Sequence, residues 1–306
     1  MKVRAILNPR AGVAAPGARE AVERGRPSWR DYRTALTEAP GHAVELARAA
    51  AAEGADVVLA VGGDGTVNEV ARGLVGTPSA LGIVPAGSGN GLARALRVPL
   101  RPAAALAALE GGGIRPIDVG RVNGRLFLNV AGTGFDAVVG HAFHERGRRG
   151  GRRGLLGYVH LSLRELAAFR PVDLAIECGT QRLDARPFVV TFANGPQYGS
   201  GAVVNPGGRL DDGRLEVVVF DHGPTPRLFL AAARMFTGGL ERTRGYRRLS
   251  ASAATITADG PLALHVDGDP ATPAARLEVE LLPKALRVVV PAGVAEDPAG
   301  PFAASR

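Results

Sequence analysis

Ala60-Val61-Gly62-Gly63-Asp64-Gly65-Thr66-Val67-Asn68-Glu69-Val70 decides how the first half of the chain is read. An apolar run (Val57, Val58, Leu59, Val61) leads into three glycines set around one aspartate, and a helical pattern (Val67, Val70, Ala71, Leu74) follows at once. Glycines at a strand-to-helix turn let the backbone approach a ligand closely, and the first turn of a helix offers unpaired N–H groups to an anion. The segment reads as a phosphate cradle with a carboxylate beside it. It is not a P-loop, because no Lys-Ser or Lys-Thr follows the glycines. A second reading stays open: Thr66 and Glu69 have the spacing of a capping box, and Gly-Asp-Gly also makes ordinary tight turns.

Outward from that stretch, strands and helices alternate. Val3 to Leu7, Asp56 to Val61 and Leu81 to Val84 read as strands. Ala43 to Ala52, the segment after the glycines and Leu92 to Leu96 read as helices. This order predicts an α/β N-terminal domain over residues 1–121, with a parallel sheet covered by helices. Ligands of such sheets bind beyond the carboxyl ends of the strands. Three turns lie at those ends: Asn8-Pro9-Arg10-Ala11-Gly12, Gly62 to Thr66, and Pro85-Ala86-Gly87-Ser88-Gly89-Asn90. Between Gly12 and Thr37, Pro16, Pro27 and several glycines predict a short or irregular helix.

The pattern changes after Gly113. Asn123-Gly124 between apolar arms predicts a hairpin. Strand-like runs recur at Val172 to Ile176, Phe188 to Phe192, Leu215 to Phe220, Ala254 to Thr257, Leu262 to Val266, Leu277 to Leu281 and Leu286 to Val290. They predict a mainly antiparallel second domain over residues 122–286, interrupted by helices at Leu155 to Phe169 and Pro226 to Phe236. The segment from about 287 to 306 has the option of returning to the first domain. Its tail after Pro291, rich in Pro, Gly and Ala, is expected to fray.

The chain has 306 residues, 46% of them apolar, which suits roughly two domains with sizeable cores and excludes disorder. Cys178 is the lone cysteine, so no intrachain disulfide forms, and a reducing compartment fits. The N-terminus lacks a signal-peptide apolar region, and no run of about 18 apolar residues is present. These features predict a soluble, cytoplasmic protein. The net charge is +8, and only Lys2 and Lys284 are lysine. Two partner classes suit a basic surface: nucleic acid and anionic lipid headgroups. Arg146, Arg148, Arg149, Arg152 and Arg153 cluster in one glycine-rich stretch, by default a solvated loop.

Taken together, Gly62 to Glu69, Pro85 to Asn90 and Asp267-Gly268-Asp269 resemble the catalytic family of diacylglycerol kinases, which includes bacterial lipid kinases, sphingosine kinases and ceramide kinases. The resemblance covers nearly the whole chain. It implies an ATP-binding α/β domain joined to a β-sandwich-like domain, with nucleotide in the cleft between them and Mg2+ as the metal. It assigns Asn8, Pro9, Arg10, Gly62, Gly63, Asp64, Gly65, Thr66, Gly87, Ser88, Gly89 and Asn90 to nucleotide binding. Thr37 falls near the nucleoside, and Arg153 near a phosphate. Asp64, Glu69 and Asp118 match acidic residues of the magnesium network. Asp269 stands where the family carries a glutamate that deprotonates the acceptor hydroxyl. It is one methylene shorter, and either carboxylate accepts a proton. Gly91 replaces an aspartate common in bacterial diacylglycerol kinases.

Asn194 to Leu215 also resembles the family, and there Asp212 and the carbonyl of Leu215 match a structural magnesium site. The implied activity is transfer of the γ-phosphoryl group of ATP to a hydroxyl of a lipid, diacylglycerol-like or sphingoid-like. The partner is then a lipid at the inner face of the membrane, met peripherally, rather than nucleic acid. The arginine stretch would face anionic lipid, and the Leu155 helix would either line a lipid-chain pocket or pack on the sheet. Two rivals stand beside this: a kinase of a soluble acceptor related to the nicotinamide-dinucleotide kinases, and a non-catalytic nucleotide-binding regulator.

Overall fold

The protein is seen as a computed structural model, which describes residues 1–11, 15–24, 29, 31–148 and 155–303. The N-terminal half runs β1 (Lys2–Leu7), α1 (Ala15–Arg24), β2 (Asp31–Leu36), α2 (His42–Ala52), β3 (Val57–Gly62), α3 (Asp64–Leu74), β4 (Ala80–Pro85), α4 (Gly91–Ala95) and α5 (Pro102–Glu110). Strands β4, β3, β1 and β2 lie side by side in that order, all parallel. Every residue of β3 and β4 is buried, as a parallel sheet covered on both faces requires. Alternate side chains divide between two cores. Val58 and Ala60 meet Ala47 of α2 and Val67, Val70 and Leu74 of α3 on one face. Val57, Leu59 and Val61 meet Ala18 and Val22 of α1 and Leu106 and Leu109 of α5 on the other. The helix expected between Gly12 and Thr37 is the short α1, ten residues long. The strand β2 was not predicted, because its segment is polar and pattern alone does not reveal it.

The rest runs β5 (Gly113–Val122), β6 (Arg125–Phe127), β7 (Val130–Gly134), α6 (Phe135–Arg148), α7 (Leu155–Ala168), β8 (Leu174–Cys178), β9 (Gln181–Ala185), β10 (Pro187–Ala193), β11 (Leu215–Asp221), α8 (Thr225–Thr237), β12 (Tyr246–Ala251), β13 (Ala253–Val266) and β14 (Asp269–Val290). These strands pair antiparallel with one another. The Asn123-Gly124 turn has both residues at positive φ (45° and 81°), the geometry a two-residue hairpin demands. Runs read as four strands, two on either side of Asp267, form two long ones, β13 and β14. Irregular register, between Thr257 and Leu262 in one and Leu282 and Leu286 in the other, breaks their apolar pattern without ending them.

The end of β14 leaves the antiparallel half. Arg287 and Val288 pair in parallel with Ala80 and Leu81 of β4, so one strand belongs to both halves. The segment beyond is docked rather than frayed. Val294 and Phe302 are buried in the α/β core, Arg115 lies over the Phe302 ring, and Leu210 N–H donates to the Pro301 carbonyl at 2.8 Å. Proline and glycine made this tail look loose, but one buried phenylalanine anchors it. Phe302→Ala should therefore cost about 3–5 kcal/mol of unfolding free energy, as measured by urea denaturation.

Candidate active site

The three turns at the sheet edge lie against one another. Asn8 N–H donates to the Val61 carbonyl at 3.1 Å, and Ala86 N–H to the Gly62 carbonyl at 2.8 Å, continuing the pairing past the strand ends. A Cβ added to Gly87 would stand 2.6 Å from the Gly63 Cα, so the two glycine loops pack backbone against backbone. A Cβ on Gly62 would stand 2.5 Å from Thr66 Oγ1, and one on Gly89 2.6 Å from Asp64 Oδ2. Three of the five glycines are therefore required by packing between the turns, and Gly62 by packing on Thr66 of its own turn. Gly65 differs: it is exposed in the first turn of α3, and a Cβ there would meet nothing within 4 Å.

Asp64 ties this edge together. Its Oδ2 accepts from Asn90 N–H at 2.8 Å and its Oδ1 from Gly91 N–H at 2.6 Å. Burial pushes the carboxyl above its ordinary range, the two N–H donors pull against that, and the nearby Asp269 charge adds to the rise. Asn90 sits in the left-handed region (φ 49°) and closes its own loop: Oδ1 accepts from Gly87 N–H at 3.1 Å and Nδ2 donates to the Gly87 carbonyl at 2.7 Å. Asn8 Nδ2 reaches Thr66 Oγ1 at 3.1 Å, and Asn8 Oδ1 accepts from Arg10 N–H at 2.9 Å. Pro9, Arg10 and Ser88 are exposed at the mouth, and Thr37 is partly exposed, its N–H bonded to the Leu7 carbonyl at the end of β1.

The antiparallel half brings the turn between β13 and β14 to this edge. Asp267 has positive φ (47°), and its carboxylate accepts from the N–H groups of Leu128, Asn129 and Val130 at 2.7, 2.9 and 3.0 Å. Burial outweighs those donors and pushes it up to about 6, with the Asp64 charge contributing. Asp267 therefore clamps the turn, while Asp269 is exposed at the start of β14. The loop 196–203 covers the second glycine loop: Ser200 N–H donates to the Gly89 carbonyl at 3.1 Å. A Cβ on Gly91 would lie 2.8 Å from the Tyr198 carbonyl oxygen and 3.1 Å from Asn129 Nδ2, so this fold leaves no room for a side chain there.

Tyr198 continues the connection. Its hydroxyl donates to Asp136 Oδ2 at 2.8 Å, Thr191 Oγ1 lies 2.6 Å from that hydroxyl, and the same Asp136 oxygen is 3.0 Å from Nε2 of the buried His265. The carboxylate accepts, so His265 carries its proton on Nε2. Its Nδ1 is buried without a hydrogen-bond partner among the described residues. Asp136 and His265 were missed from sequence, and Asp267 was read as part of the Asp267-Gly268-Asp269 motif but not as its clamp. The usable signals were a histidine in the apolar run Leu262 to Val266 and an Asp-Gly pair needing positive φ.

The acidic residues expected around one magnesium are dispersed. The Glu69 carboxylate accepts from Gly41 N–H at 2.9 Å and Ala43 N–H at 3.3 Å, serving the first turn of α2. It makes no capping box with Thr66, because α3 starts at Asp64 with Gly63 as its N-cap. The Asp118 carboxylate is buried between Gly213 N–H and Lys284 N–H, both at 2.7 Å, at the junction of the halves. Among the described residues no three His, Cys, Asp or Glu side chains form a metal-binding group. Asp212 accepts from Arg214 N–H at 3.0 Å, and burial with the Asp118 and Asp211 charges raises its carboxyl. Its neighbour Glu216, adjoining Leu215, is pushed up to about 7, chiefly by burial. Arg149, Arg152 and Arg153 lie outside the described residues, as do the side chains of Arg146 and Arg148. A hollow of about 530 Å³ between β8, β9 and β13 contains none of the candidate residues.

The family model described as the diacylglycerol kinase catalytic domain matches residues 2–122, and that of the YegS C-terminal NAD kinase beta sandwich-like domain matches residues 129–290. A probable lipid kinase YegS-like of Pseudomonas aeruginosa is 34% identical over 281 residues, 90% of each chain. A diacylglycerol kinase of Mycobacterium tuberculosis is 31% identical over 299 residues, 95% of each. The crystal structure of a diacylglycerol kinase from Bacillus anthracis superposes with a TM-score of 0.74 at 22% identity, covering 96% of this chain and 98% of its own, a likeness of fold.

Two substitutions test the geometry. Gly91→Asp should destabilise the protein by about 1–3 kcal/mol in urea unfolding, because the new side chain meets the Tyr198 carbonyl. Asp64→Ala strands two backbone donors, so it should cost about 1–3 kcal/mol in the same measurement, with phosphoryl transfer abolished in the protein that remains folded.

Proposed function

The chain belongs to the diacylglycerol kinase catalytic-domain family, and from that premise we propose that it is an ATP- and magnesium-dependent kinase of a lipid hydroxyl. One observation carries the reading. Asp64, on the glycine edge of the parallel sheet, and Asp269, on a turn of the antiparallel half, are near enough to feel each other's charge. A phosphate cradle from one half thus meets an exposed carboxylate from the other.

The donors for phosphate are those left open once the turns have packed: the first-turn N–H groups of α3 around Gly65, with Ser88 and Arg10 at the mouth. Asn8, Thr66 and Asn90 hold that edge in shape. The acceptor oxygen attacks the γ-phosphorus as the bond to the ADP oxygen breaks, and the hydroxyl proton passes to the Asp269 carboxylate. Most of the acceleration in such transfers comes from alignment and charge neutralisation, with the base adding about 10²–10⁴-fold.

Asp64, its carboxyl raised by burial and by the Asp269 charge, suits a divalent cation. Magnesium takes one or two carboxylates and completes its shell with waters and phosphate oxygens, so the absence of a third acidic ligand does not count against it. Asp64 would hold it, and it would supply neutralisation of the phosphate charge when bound. A second, structural magnesium would use Asp212 and the carbonyl of Leu215, where burial raises the Asp212 carboxyl and the Asp118 and Asp211 charges add to the rise. Glu69 and Asp118 support the frame instead.

The deciding experiment follows the γ-phosphate of labelled ATP into a total lipid extract. Label in a chloroform-soluble product is expected. Label confined to water-soluble product would overturn the lipid acceptor, and ATP binding without transfer would overturn catalysis. Asp269→Asn should lower the transfer rate by about 10²-fold or more while ATP affinity changes little. An unchanged rate would remove Asp269 as the base.

A further inference from the structure

The helix α8 turns a large apolar face to solvent. Phe229, Leu230 and Phe236 are 53%, 47% and 65% exposed, and Ala233 between them is exposed as well. At 100° per residue these positions form one stripe along the helix. Leu228, Ala231 and Met235, on the opposite side, pack into the core with Val204, Phe220 and Leu240. The outward face is therefore surplus to the fold, and single exposed apolar residues would not be notable where this contiguous stripe is.

The charge around it is mainly positive. The helix contains Arg227 and Arg234 and no acidic residue. From His222 to Arg248 the chain carries six arginines and a single acid, Glu241. Arg234 Nη1 donates to Thr243 Oγ1 at 3.0 Å, which holds the following turn against the helix. That turn presents Arg242 and Arg244 to solvent on either side of Thr243. Arg227 points instead at the His222 carbonyl, 2.7 Å away, Arg247 pairs with Asp221 and Arg248 bonds to Asn205, which leaves the turn as the outward basic segment. Arg242 is also 3.9 Å from the exposed Glu241. The helix also adjoins the candidate site, because Val203 N–H, in the loop that covers the second glycine turn, donates to the Met235 carbonyl at 2.9 Å.

We propose that α8 and the Arg242–Arg244 turn form the surface by which this protein docks on an anionic bilayer. Phe229, Leu230 and Phe236 enter the headgroup region, and the arginines meet lipid phosphates. A helix with an apolar stripe, a basic border and no acid is suited to lie in that interface, where apolar burial and attraction to anionic lipid add. No helix among the described residues is long and apolar enough to cross a membrane, so contact of this kind needs a surface element. The choice of a bilayer over a protein partner rests on the lipid-kinase reading. The surface itself does not.

The test is co-sedimentation with vesicles of phosphatidylcholine alone and of phosphatidylcholine mixed with phosphatidylglycerol, read beside ATP binding. The wild-type protein should bind the mixed vesicles, less so in high salt. Phe229→Ser with Phe236→Ser should weaken that binding roughly tenfold or more, since each ring buried in an apolar medium is worth at least that factor. Arg242→Glu with Arg244→Glu should remove the preference for phosphatidylglycerol. Both pairs are on the surface, so ATP binding and thermal unfolding should match wild type. Equal vesicle binding by the phenylalanine pair would overturn the inference. So would sedimentation equilibrium that finds a dimer broken by the same pair, which would make the stripe a contact between copies. Loss of vesicle binding in these variants alongside absent lipid phosphorylation by wild type would leave the docking surface standing and the kinase reading fallen.

Discussion

The carboxylate of Asp64 is the joint on which the site depends. Its two oxygens accept from Asn90 and Gly91 and so bind the first turn of α3 to the loop after β4. Everything that reaches the site from the antiparallel half touches that loop or the charge of Asp64. Ser200 lies on Gly89, the Tyr198 carbonyl lies on Gly91, and Asp267 and Asp269 sit within the field of Asp64. A partly buried acid held by two N–H donors is stiff, because releasing it leaves three polar groups without partners.

That arrangement changes what the glycines mean. A glycine-rich turn at a strand end is read as space for a ligand, and here most of the space is already filled by the neighbouring turn. Gly63 and Gly87 exist for each other, Gly62 for Thr66 and Gly89 for Asp64. Gly65 alone keeps its open side at the head of α3. The site is thus built in two layers, an inner one in which backbone packs on backbone and an outer one of exposed donors. Gly91 belongs to the inner layer, which accounts for the missing carboxylate at that position.

A second line of contact runs through Tyr198, Asp136 and His265 to β13, and from there to the Asp267 clamp and Asp269. It couples the loop over the glycine turn to the strand that leads into the β13–β14 turn through hydrogen bonds of 2.8 and 3.0 Å. The long strand β14 joins the halves covalently, since it begins at Asp269 and ends paired with β4. Together with the docked Phe302, these links set the two halves against each other through buried contacts rather than through a flexible linker.

The parallel sheet and its three edge turns were legible in sequence. Full burial on both faces forces continuous apolar strands, and a strand-to-helix turn forces glycine and a first-turn acid. The Asn123-Gly124 hairpin was legible for the same kind of local reason. What the chain does with its carboxylates was not. Asp64, Glu69, Asp118, Asp212 and Asp267 look alike as letters, yet one bridges loops, one caps α2, one seals the junction, one closes an Asx turn and one clamps the β13–β14 turn. Each role is set by N–H groups as many as 166 residues away, as for Asp118 and Lys284. The docking of Phe302 and the unity of β14 were likewise decided by distant partners. Local pattern determines which elements form and where a phosphate can sit. Only the tertiary structure decides which acid is taken into the frame, because that depends on which backbone donors the fold brings to it.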